Sequence, residues 1–252
     1  MRRSLVAGNW KMHGSRAMVT ELLQELASGI DTGIEGVDVV VCPPSPYLQL
    51  SQSLLQDGAV ALGAQNAHDQ PSGAFTGEVA VSMLADFGVQ FVIAGHSERR
   101  QLFGETDEVV ARKFAAIQEQ GIVPVLCLGE TLEQREEGVA EAVVAAQLSA
   151  VLEHSGIEAM ADAVIAYEPV WAIGTGKTAS PAQAQQMHRF IREQLARHDA
   201  EIAEQTRILY GGSVNAGNAR ELFAQADIDG GLVGGASLKA DEFITICKSV
   251  SE

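Results

Sequence analysis

Residues able to bind an anion follow directly after the first apolar run of this chain. Asn9 and Lys11 come just behind the run 5–7 and offer an amide and an ammonium group. A turn amide beside a solvated lysine explains the pair equally well. Because the formal net charge is −16, the overall field repels anions, so any anion site has to be created locally.

A histidine holds a similar position after the run 91–94. We expect Ser97 to cap a short helix behind His96, formed by residues 98–100. The positive end of that helix disfavours imidazolium, so the ring is expected to be neutral and able to donate a hydrogen bond. A purely structural histidine is the alternative, and residues 98–100 are expected to form an ion-pair cluster.

Glu168 follows the run 163–167 and leads into a loop of unusual composition. This loop, residues 169–179, has an apolar centre flanked by small residues, and we call it the lid. Exposure of Trp171 and Ile173 to water would be unfavourable, so the lid is expected to close over something and bury them. Permanent packing of the loop on the protein surface is the alternative.

Glycine pairs follow the last two apolar runs. They occur in YGGSVN, residues 210–215, and in LVGGASLK, residues 232–239. Glycines let backbone N–H groups approach a phosphate closely, and a helix start behind them adds a positive dipole. One such pair is a weak signal, whereas two on successive final strands match the usual phosphate site of an α/β barrel.

The elements that must position these residues alternate between strand and helix about eight times. Continuously apolar runs, typical of strands covered on both faces, occur at 5–7, 37–42, 60–64, 91–94, 122–128, 163–167, 208–210 and 232–233. Ser15, Thr106 and Ser180 can cap amphipathic helices between them. This pattern predicts a single-domain (β/α)8 barrel over residues 1–252, with its chemistry at the carboxyl ends of the strands. An open doubly wound sheet is the alternative, weakened because no GxGxxG follows the first strand.

Composition and motifs exclude several classes of function. The acidic charge argues against nucleic-acid or membrane-surface binding, and no apolar run is long enough to span a bilayer. Three dispersed cysteines without a CxxC pair indicate neither a disulfide framework nor a zinc site. No HExxH, P-loop or GxSxG motif is present, so we expect no metal and no cofactor. The expected compartment is the cytoplasm.

Five segments, in order along essentially the whole chain, resemble the triosephosphate isomerase family. They are AGNWKM, GHSERR, AYEPVWAIGTGKTAS, YGGSV and LVGGASL. The segment SGAFTGE, residues 72–78, also resembles the interdigitating third loop of that family. A match of five ordered motifs is highly specific.

The resemblance implies a reaction, which interconverts dihydroxyacetone phosphate and D-glyceraldehyde 3-phosphate through an enediolate. It makes Glu168 the general base and neutral His96 the electrophile that polarises the carbonyl oxygen. Lys11 and Asn9 correspond to the groups that bind the anionic substrate and stabilise its developing charge. The resemblance also implies a phosphate site formed by Gly174, Ser213, Gly234 and Gly235.

The same resemblance implies a homodimer formed through the loop 72–78. Its tip consists of Phe75, Thr76, Gly77 and Glu78. Thr76 of the partner subunit is expected to reach the region of Asn9 and Lys11. His68 is expected at the surface or the interface, and Cys127 is expected to be a packed, buried thiol.

Two other classes of function remain open on sequence alone. Another phosphate-binding barrel, such as a sugar-phosphate isomerase or lyase, would explain the glycine pairs but not the combination of Lys11, His96 and Glu168. A barrel kept only as an interaction scaffold would not need all three residues. Turnover of both triose phosphates distinguishes the three cases.

Overall fold

The central element of the fold is a closed barrel of parallel strands. The computed structural model describes residues 2–30, 34–56, 58–173 and 178–250, and in these the barrel has eight strands. Strand order follows chain order, and β8 pairs with β1 to close the ring. The strands are β1 Ser4–Asn9, β2 Val37–Cys42, β3 Val60–Ala64, β4 Phe91–Ala94, β5 Val123–Leu128, β6 Val164–Tyr167, β7 Arg207–Tyr210 and β8 Gly230–Val233. The predicted (β/α)8 barrel is therefore confirmed and the open sheet was wrong.

Helices connect the strands. The α-helices are α1 Arg16–Gly29, α2 Leu48–Leu55, α3 Val81–Ala85, α4 Ser97–Phe103, α5 Asp107–Glu119, α6 Leu132–Glu136, α7 Ala140–Ser155, α8 Pro181–Ala196, α9 Ala200–Gln205, α10 Ala219–Phe223 and α11 Ala240–Lys248. Short 3-10 helices cover Ser45–Tyr47, Glu158–Asp162, Val170–Ala172 and Gly235–Leu238. The predicted caps Ser15, Thr106 and Ser180 are confirmed, because each side chain accepts a hydrogen bond from the N–H three residues later.

Each strand is buried on both faces, which explains its continuous apolar sequence. Leu5 and Ala7 belong to a cluster of strand residues that fills the barrel interior. Val6, between them, packs outward in the larger cluster that includes the helices. Successive side chains of a strand point to opposite faces, so both sets have to be apolar. Two layers of core therefore hold the strand ends in fixed positions.

Side chains complete the barrel where β7 and β8 begin. Oδ2 of Asp229 accepts a 2.8 Å hydrogen bond from the backbone N–H of Ile208, which substitutes for a ladder bond between the strands. Arg192 donates to the same oxygen at 2.8 Å, and Arg2 donates to the other carboxylate oxygen at 2.6 Å. We call Arg2, Arg192, Asp227 and Asp229 the seam cluster. It joins the first strand to the last two at the amino-terminal end of the barrel.

The three cysteines are buried free thiols, as predicted for a chain without a disulfide framework. Burial raises the pKa of the Cys42 and Cys247 thiols to about 12 and moves the pKa of Cys127 upward as well. Cys127 is thus the packed thiol that the sequence predicts. None of the helices in the described part of the chain combines the length and hydrophobicity needed to cross a bilayer.

Candidate active site

A cavity of about 360 Å³ opens at the carboxyl ends of the strands. Six of the predicted site residues line it: Asn9, Lys11, His96, Ser213, Gly234 and Gly235. They come from the ends of β1, β4, β7 and β8, which only the closed barrel brings together. Gly174, the remaining residue predicted to bind phosphate, lies outside the described residues.

The backbone of Lys11 is held in an unusual conformation at this cavity. Its φ is +51°, the left-handed region that residues with a Cβ seldom adopt. The side chain of Asn9 accepts a 3.0 Å hydrogen bond from the Lys11 N–H, and Gln65 donates to the Lys11 carbonyl at 2.9 Å. Gln65 also donates to the Cys42 carbonyl at 2.8 Å. The neighbouring strands therefore hold Lys11 in its strained conformation, as is common at functional sites.

The ammonium group of Lys11 pairs with Glu98. The Nζ–Oε1 distance is 2.5 Å, and both side chains are partly exposed. The predicted ion-pair cluster over residues 98–100 is therefore only partly correct. Arg99 and Arg100 form ion pairs with Glu105 and Asp107, but Glu98 turns toward the cavity. The carboxylate of Glu98 thus holds this ammonium group at the edge of the cavity.

His96, rather than Ser97, is the N-cap of α4. Its Nδ1 accepts a 3.2 Å hydrogen bond from the backbone N–H of Glu98. In a neutral ring Nδ1 then lacks a proton and Nε2 carries it. Nε2 lies 3.0 Å from Oε1 of Glu168. The predicted cap at Ser97 was wrong because the imidazole can reach the first turn of the helix and satisfy its N–H.

Opposing effects act on the pKa of His96. Burial lowers this pKa, the adjacent Glu168 carboxylate raises it, and the net direction is upward. The hydrogen bond from Glu98 N–H opposes protonation, because it occupies the lone pair of Nδ1 where a second proton would go. The raised pKa therefore belongs to the arrangement in which Glu168 touches the ring. Moving that carboxylate away favours the neutral ring that the sequence predicts.

Glu168 is retracted from the cavity that the other site residues line. Its exposed fraction is 1%, and its Oε2 accepts a 2.8 Å hydrogen bond from the Ser97 N–H. The Ser97 hydroxyl donates to Oε1 at 3.1 Å. Burial raises the pKa of Glu168, whereas contacts with His96 and Ser97 lower it. The lowering is the larger effect, so the pKa of Glu168 lies below its usual value. The carboxylate is therefore ionised at neutral pH, which is the form a general base requires.

Glycines keep the backbone around the cavity accessible. A Cβ added to Gly235 would meet no atom within 4 Å, and one added to Gly234 would approach the Lys11 side chain at 3.6 Å. The 3-10 helix Gly235–Leu238 starts here, and the first N–H groups of a helix have no partner within it. This arrangement suits a phosphate group bound by backbone N–H donors.

Some residues of the site were missed by sequence reasoning. Lys239, the last residue of the segment LVGGASLK, was not singled out as a cation of the site. It also lines the cavity, with its side chain 75% exposed and its ammonium group 3.5 Å from Glu242. Gln65, which directly follows β3, and Glu130, two residues after the end of β5, were not singled out. The rule that polar residues after strands are candidates would have found them both.

The two described ends of the lid are anchored to the barrel. Trp171 donates from its indole to Oε1 of Glu130 at 2.8 Å, and the Val170 N–H donates to the Glu130 carbonyl at 3.1 Å. At the other end, the Ala179 N–H donates to the Tyr210 hydroxyl at 3.3 Å. Ile173 lines the cavity. Residues 174–177 lie outside the described part of the chain.

The loop 72–78 projects apolar surface beside the same rim. Phe75 is 44% exposed and stacks on the half-buried His68, with ring centroids 4.4 Å apart. A second cavity of about 360 Å³ lies between this loop and the site, and Lys11, Gly77 and Glu78 help to line it. Other exposed large apolar residues include Met12, Met83, Leu102 and Phe103. His68 thus supports the loop from within its own chain.

Within the described ranges, no group of three or more His, Cys, Asp or Glu residues is arranged to hold a metal ion. The acid–base groups of the site are His96, Glu168 and Lys11, and the donors facing the cavity suit an anion. This set can move a proton and stabilise negative charge on an oxygen.

Comparisons with known proteins identify the family of this chain. The family model described as Triosephosphate isomerase matches residues 4–250. The triosephosphate isomerase of Dechloromonas aromatica (strain RCB) is 58% identical over 251 residues, covering 100% of both chains. That of Nitrosomonas europaea is 58% identical over 246 residues, 98% of this chain and 97% of the relative. That of Thiobacillus denitrificans is 56% identical over 252 residues. Since the matches span the whole chain, this protein belongs to the triosephosphate isomerase family.

Proposed function

We propose that this chain interconverts dihydroxyacetone phosphate and D-glyceraldehyde 3-phosphate through an enediolate, without a cofactor. The observation that carries the proposal is the approach of Glu168 to within 3.0 Å of His96 Nε2, beside a cavity that also holds Lys11. This reaction belongs to glycolysis and gluconeogenesis, and we assign it to the cytoplasm. Residues 1–252 act as one domain, since the barrel strands extend from Ser4 to Val233.

Glu168 is the general base that moves a proton between adjacent carbons of the substrate. Its carboxylate is ionised, but in this structure it faces Ser97 and not the cavity. The side chain therefore has to rotate toward a bound substrate before it reacts. A retracted base bound to Ser97 stays ionised and ordered until then, and its rotation also removes the charge that raises the pKa of His96.

His96 and Lys11 stabilise the charge that develops on the substrate oxygens. The Nε2–H group of neutral His96 donates to the carbonyl oxygen, and Asn9 supplies a further donor beside it. Lys11 supplies a local positive charge, which the overall field of this acidic protein does not provide. Donors held in place before the reaction stabilise an oxyanion without the cost of reorienting solvent.

The phosphate group binds to the backbone of Ser213, Gly234 and Gly235, together with Gly174 in the lid. Closure of the lid, residues 169–179, over this phosphate orients the reacting carbons with binding energy from a remote part of the substrate. Closure also excludes water and so limits loss of phosphate from the enediolate.

A coupled assay with each triose phosphate tests this function. We expect Glu168→Gln to lower kcat by about 10²- to 10⁴-fold, because the amide cannot accept the proton. Glu133→Gln, an exposed residue of α6, is the control and should keep full activity. Turnover of other sugar phosphates but not of triose phosphates would favour another phosphate-binding barrel, and absence of all turnover would favour a scaffold.

We also propose that the chain forms a homodimer through the loop 72–78. The exposed Phe75 beside the cavity that reaches Lys11 supports this proposal, because a projecting apolar residue and an apolar rim are typical of an interface. In the dimer, Thr76 of the partner subunit lies near Asn9 and Lys11. Phe75, Thr76, Gly77 and Glu78 form the contacting tip.

Sedimentation velocity tests the dimer. We expect the unmodified chain to sediment as a dimer and Phe75→Glu to sediment as a monomer, because the charge would be buried in the interface. Leu132→Glu is a matched control, since Leu132 is exposed to a similar degree, 42%, and lies on α6, outside the loop 72–78. A Phe75→Glu variant that remains as dimeric as this control would contradict the proposed interface.

A further inference from the structure

Two tyrosines on neighbouring strands hold the two ends of the lid. Tyr167 and Tyr210 lie opposite each other in the β6–β7 register. The Tyr167 hydroxyl donates to Oε1 of Glu130 at 3.0 Å, and the same oxygen accepts the Trp171 indole N–H at the first end of the lid. The Tyr210 hydroxyl accepts the Ala179 N–H at the other end. The position of each tyrosine ring therefore affects the position of one end of the lid.

A single buried histidine contacts both tyrosine rings from behind. His188 on α8 has no exposed surface. Its ring centroid lies 5.7 Å from that of Tyr167 with the planes at 90°, and 6.3 Å from that of Tyr210 with the planes at 36°. Both separations are in the range of favourable aromatic pairs. The helix that carries His188 begins directly behind the lid, at Pro181.

The His188 ring is fixed in one orientation. Nδ1 lies 3.2 Å from the carbonyl oxygen of Asp227, an acceptor, so Nδ1 carries the proton and donates. Nε2 makes no hydrogen bond within the described residues, so the ring meets the tyrosines by packing. Burial lowers the pKa of His188 to about 3, and the ring is therefore uncharged at any pH at which the enzyme would work.

We propose that His188 is a positioning residue that couples the two ends of the lid by fixing Tyr167 and Tyr210 together. The inference rests on the proposed function, in which the lid closes over the substrate phosphate. Without the shared ring, the two tyrosines shift independently, and the two ends of the lid no longer reach their closed positions together. His188 itself does not border the substrate cavity.

The test compares His188→Leu with the unmodified chain on two substrates. For glyceraldehyde 3-phosphate we expect kcat/KM to fall by about tenfold or more, since misplacement far from the chemistry is costly. For glyceraldehyde, which has no phosphate to close the lid, we expect a change of less than about twofold. Met187→Leu, at the preceding position of the same helix and also buried, is the control and should leave both values unchanged.

A double-mutant cycle with Tyr210→Phe tests the coupling itself. Both His188→Leu and Tyr210→Phe are expected to lower kcat/KM for the phosphorylated substrate, but their combination should cost less than the product of the single effects. His188→Phe keeps a flat ring against the tyrosines, so it should fold and recover most of the activity that His188→Leu loses.

Three results would overturn the inference. They are an equal loss on both substrates, independent effects of His188→Leu and Tyr210→Phe, and a folded His188→Phe variant no more active than His188→Leu. Thermal unfolding followed by circular dichroism verifies folding of every variant at the assay temperature. Failure of the proposed function is a separate result, since the unmodified chain would then turn over neither triose phosphate.

Discussion

The cation of the site depends on contacts made by its backbone. Asn9 and Gln65 hydrogen-bond to the N–H and the carbonyl of Lys11, whose φ of +51° is otherwise unfavourable. Strain of this kind costs about 1–3 kcal/mol and persists only where the surroundings impose it. The ammonium group can therefore be placed over the cavity although the backbone conformation itself is disfavoured.

Replacement of Lys11 should be far more harmful than replacement of Lys239. We expect Lys11→Met to lower kcat/KM by about 10²- to 10³-fold, the cost of losing one preorganised group that stabilises the transition state. Lys239→Met should lower it less than about tenfold, because that side chain is 75% exposed and screened by solvent. Steady-state kinetics of the two variants in the same buffer give the comparison. Similar losses in both would contradict the local role of Lys11.

A buried carboxylate predicts how stability changes with pH. Burial raises the pKa of Glu105, whereas hydrogen bonds from Lys113 and Arg99 lower it by a larger amount. The pKa of Glu105 in the folded state therefore lies below the usual 4.5. Its contribution to stability is therefore complete above pH 4.5 and is lost as the pH falls through the folded-state value. The deficit in the free energy of unfolding of Glu105→Gln should be largest at neutral pH and shrink below pH 4.5. Urea unfolding at several pH values measures it, and a deficit that does not change with pH would contradict the assignment.

Sequence reasoning at this scale succeeded where chemistry follows a strand. Lys11 and His96 stand out because each is a charged or titratable residue close behind an apolar run, although the sequence alone allowed a structural role for both. The partners of these residues were harder to predict. The pairing of Glu98 with Lys11, and of Glu168 with Ser97, joins different strands, and local sequence carries no signal for such contacts.

At the scale of elements, α7 braces the strand end beside the base. Gln147 forms two hydrogen bonds with Gly129, accepting from its N–H at 2.8 Å and donating to its carbonyl at 3.0 Å. A Cβ on Gly129 would lie only 1.8 Å from the Glu168 carbonyl oxygen. The helix thus holds a glycine tightly against the backbone of Glu168.

Loss of this brace should affect activity as well as stability. We expect Gln147→Leu to cost about 1–3 kcal/mol of unfolding free energy, because the backbone groups of Gly129 lose their partner. It should also lower kcat several-fold through the position of Glu168. Gln118→Leu is the control, since Gln118 donates to the Ala159 carbonyl at 2.7 Å on another helix. Urea unfolding and kinetics of both variants separate the loss of stability from the loss of kcat. An unchanged kcat in Gln147→Leu would contradict the proposed effect of Gln147 on the position of Glu168.

Strands and long helices were predictable because their apolar periodicity is strong. The runs at 37–42, 60–64 and 91–94 match β2, β3 and β4 residue for residue. The cap of α4 was not predictable from local sequence. Ser97 is a favourable cap by residue type, but His96 is the N-cap, and its ring accepts the hydrogen bond from the first turn of the helix. The end of β4 places the His96 side chain at the start of α4, and this tertiary constraint outweighs the capping preference of serine.

For the whole molecule, the seam cluster joins the elements that close the barrel. The side chain of Arg192 donates to Asp227, Asp229 and the carbonyls of Ala203 and Thr206. The guanidinium and the Asp229 carboxylate are both buried. Water therefore has little access to the ion pair between Arg192 and Asp229, which helps to close the barrel.

Removal of Arg192 should destabilise the protein strongly. We expect Arg192→Met to lower the free energy of unfolding by about 3–5 kcal/mol. It removes one of the two cations that pair with the buried Asp229 carboxylate, and it leaves the carbonyls of Ala203 and Thr206 without their donor. Arg189→Met on the same helix is the control, since its ion pair with Glu193 is largely exposed and should contribute under about 1 kcal/mol. Urea unfolding of both measures the difference. Equal losses would mean that the seam cluster does not hold the barrel closed.

The hydrogen bond that Asp229 supplies between β7 and β8 also has a kinetic consequence. β1 and β8 come from opposite ends of the chain, so contacts between them close the longest loop of the barrel, and we expect them to form last. The seam cluster is therefore expected to assemble after the rate-limiting step of folding. Weakening it should then accelerate unfolding and leave the refolding rate nearly unchanged. The same carboxylate that closes the ring would set how long a folded molecule lasts.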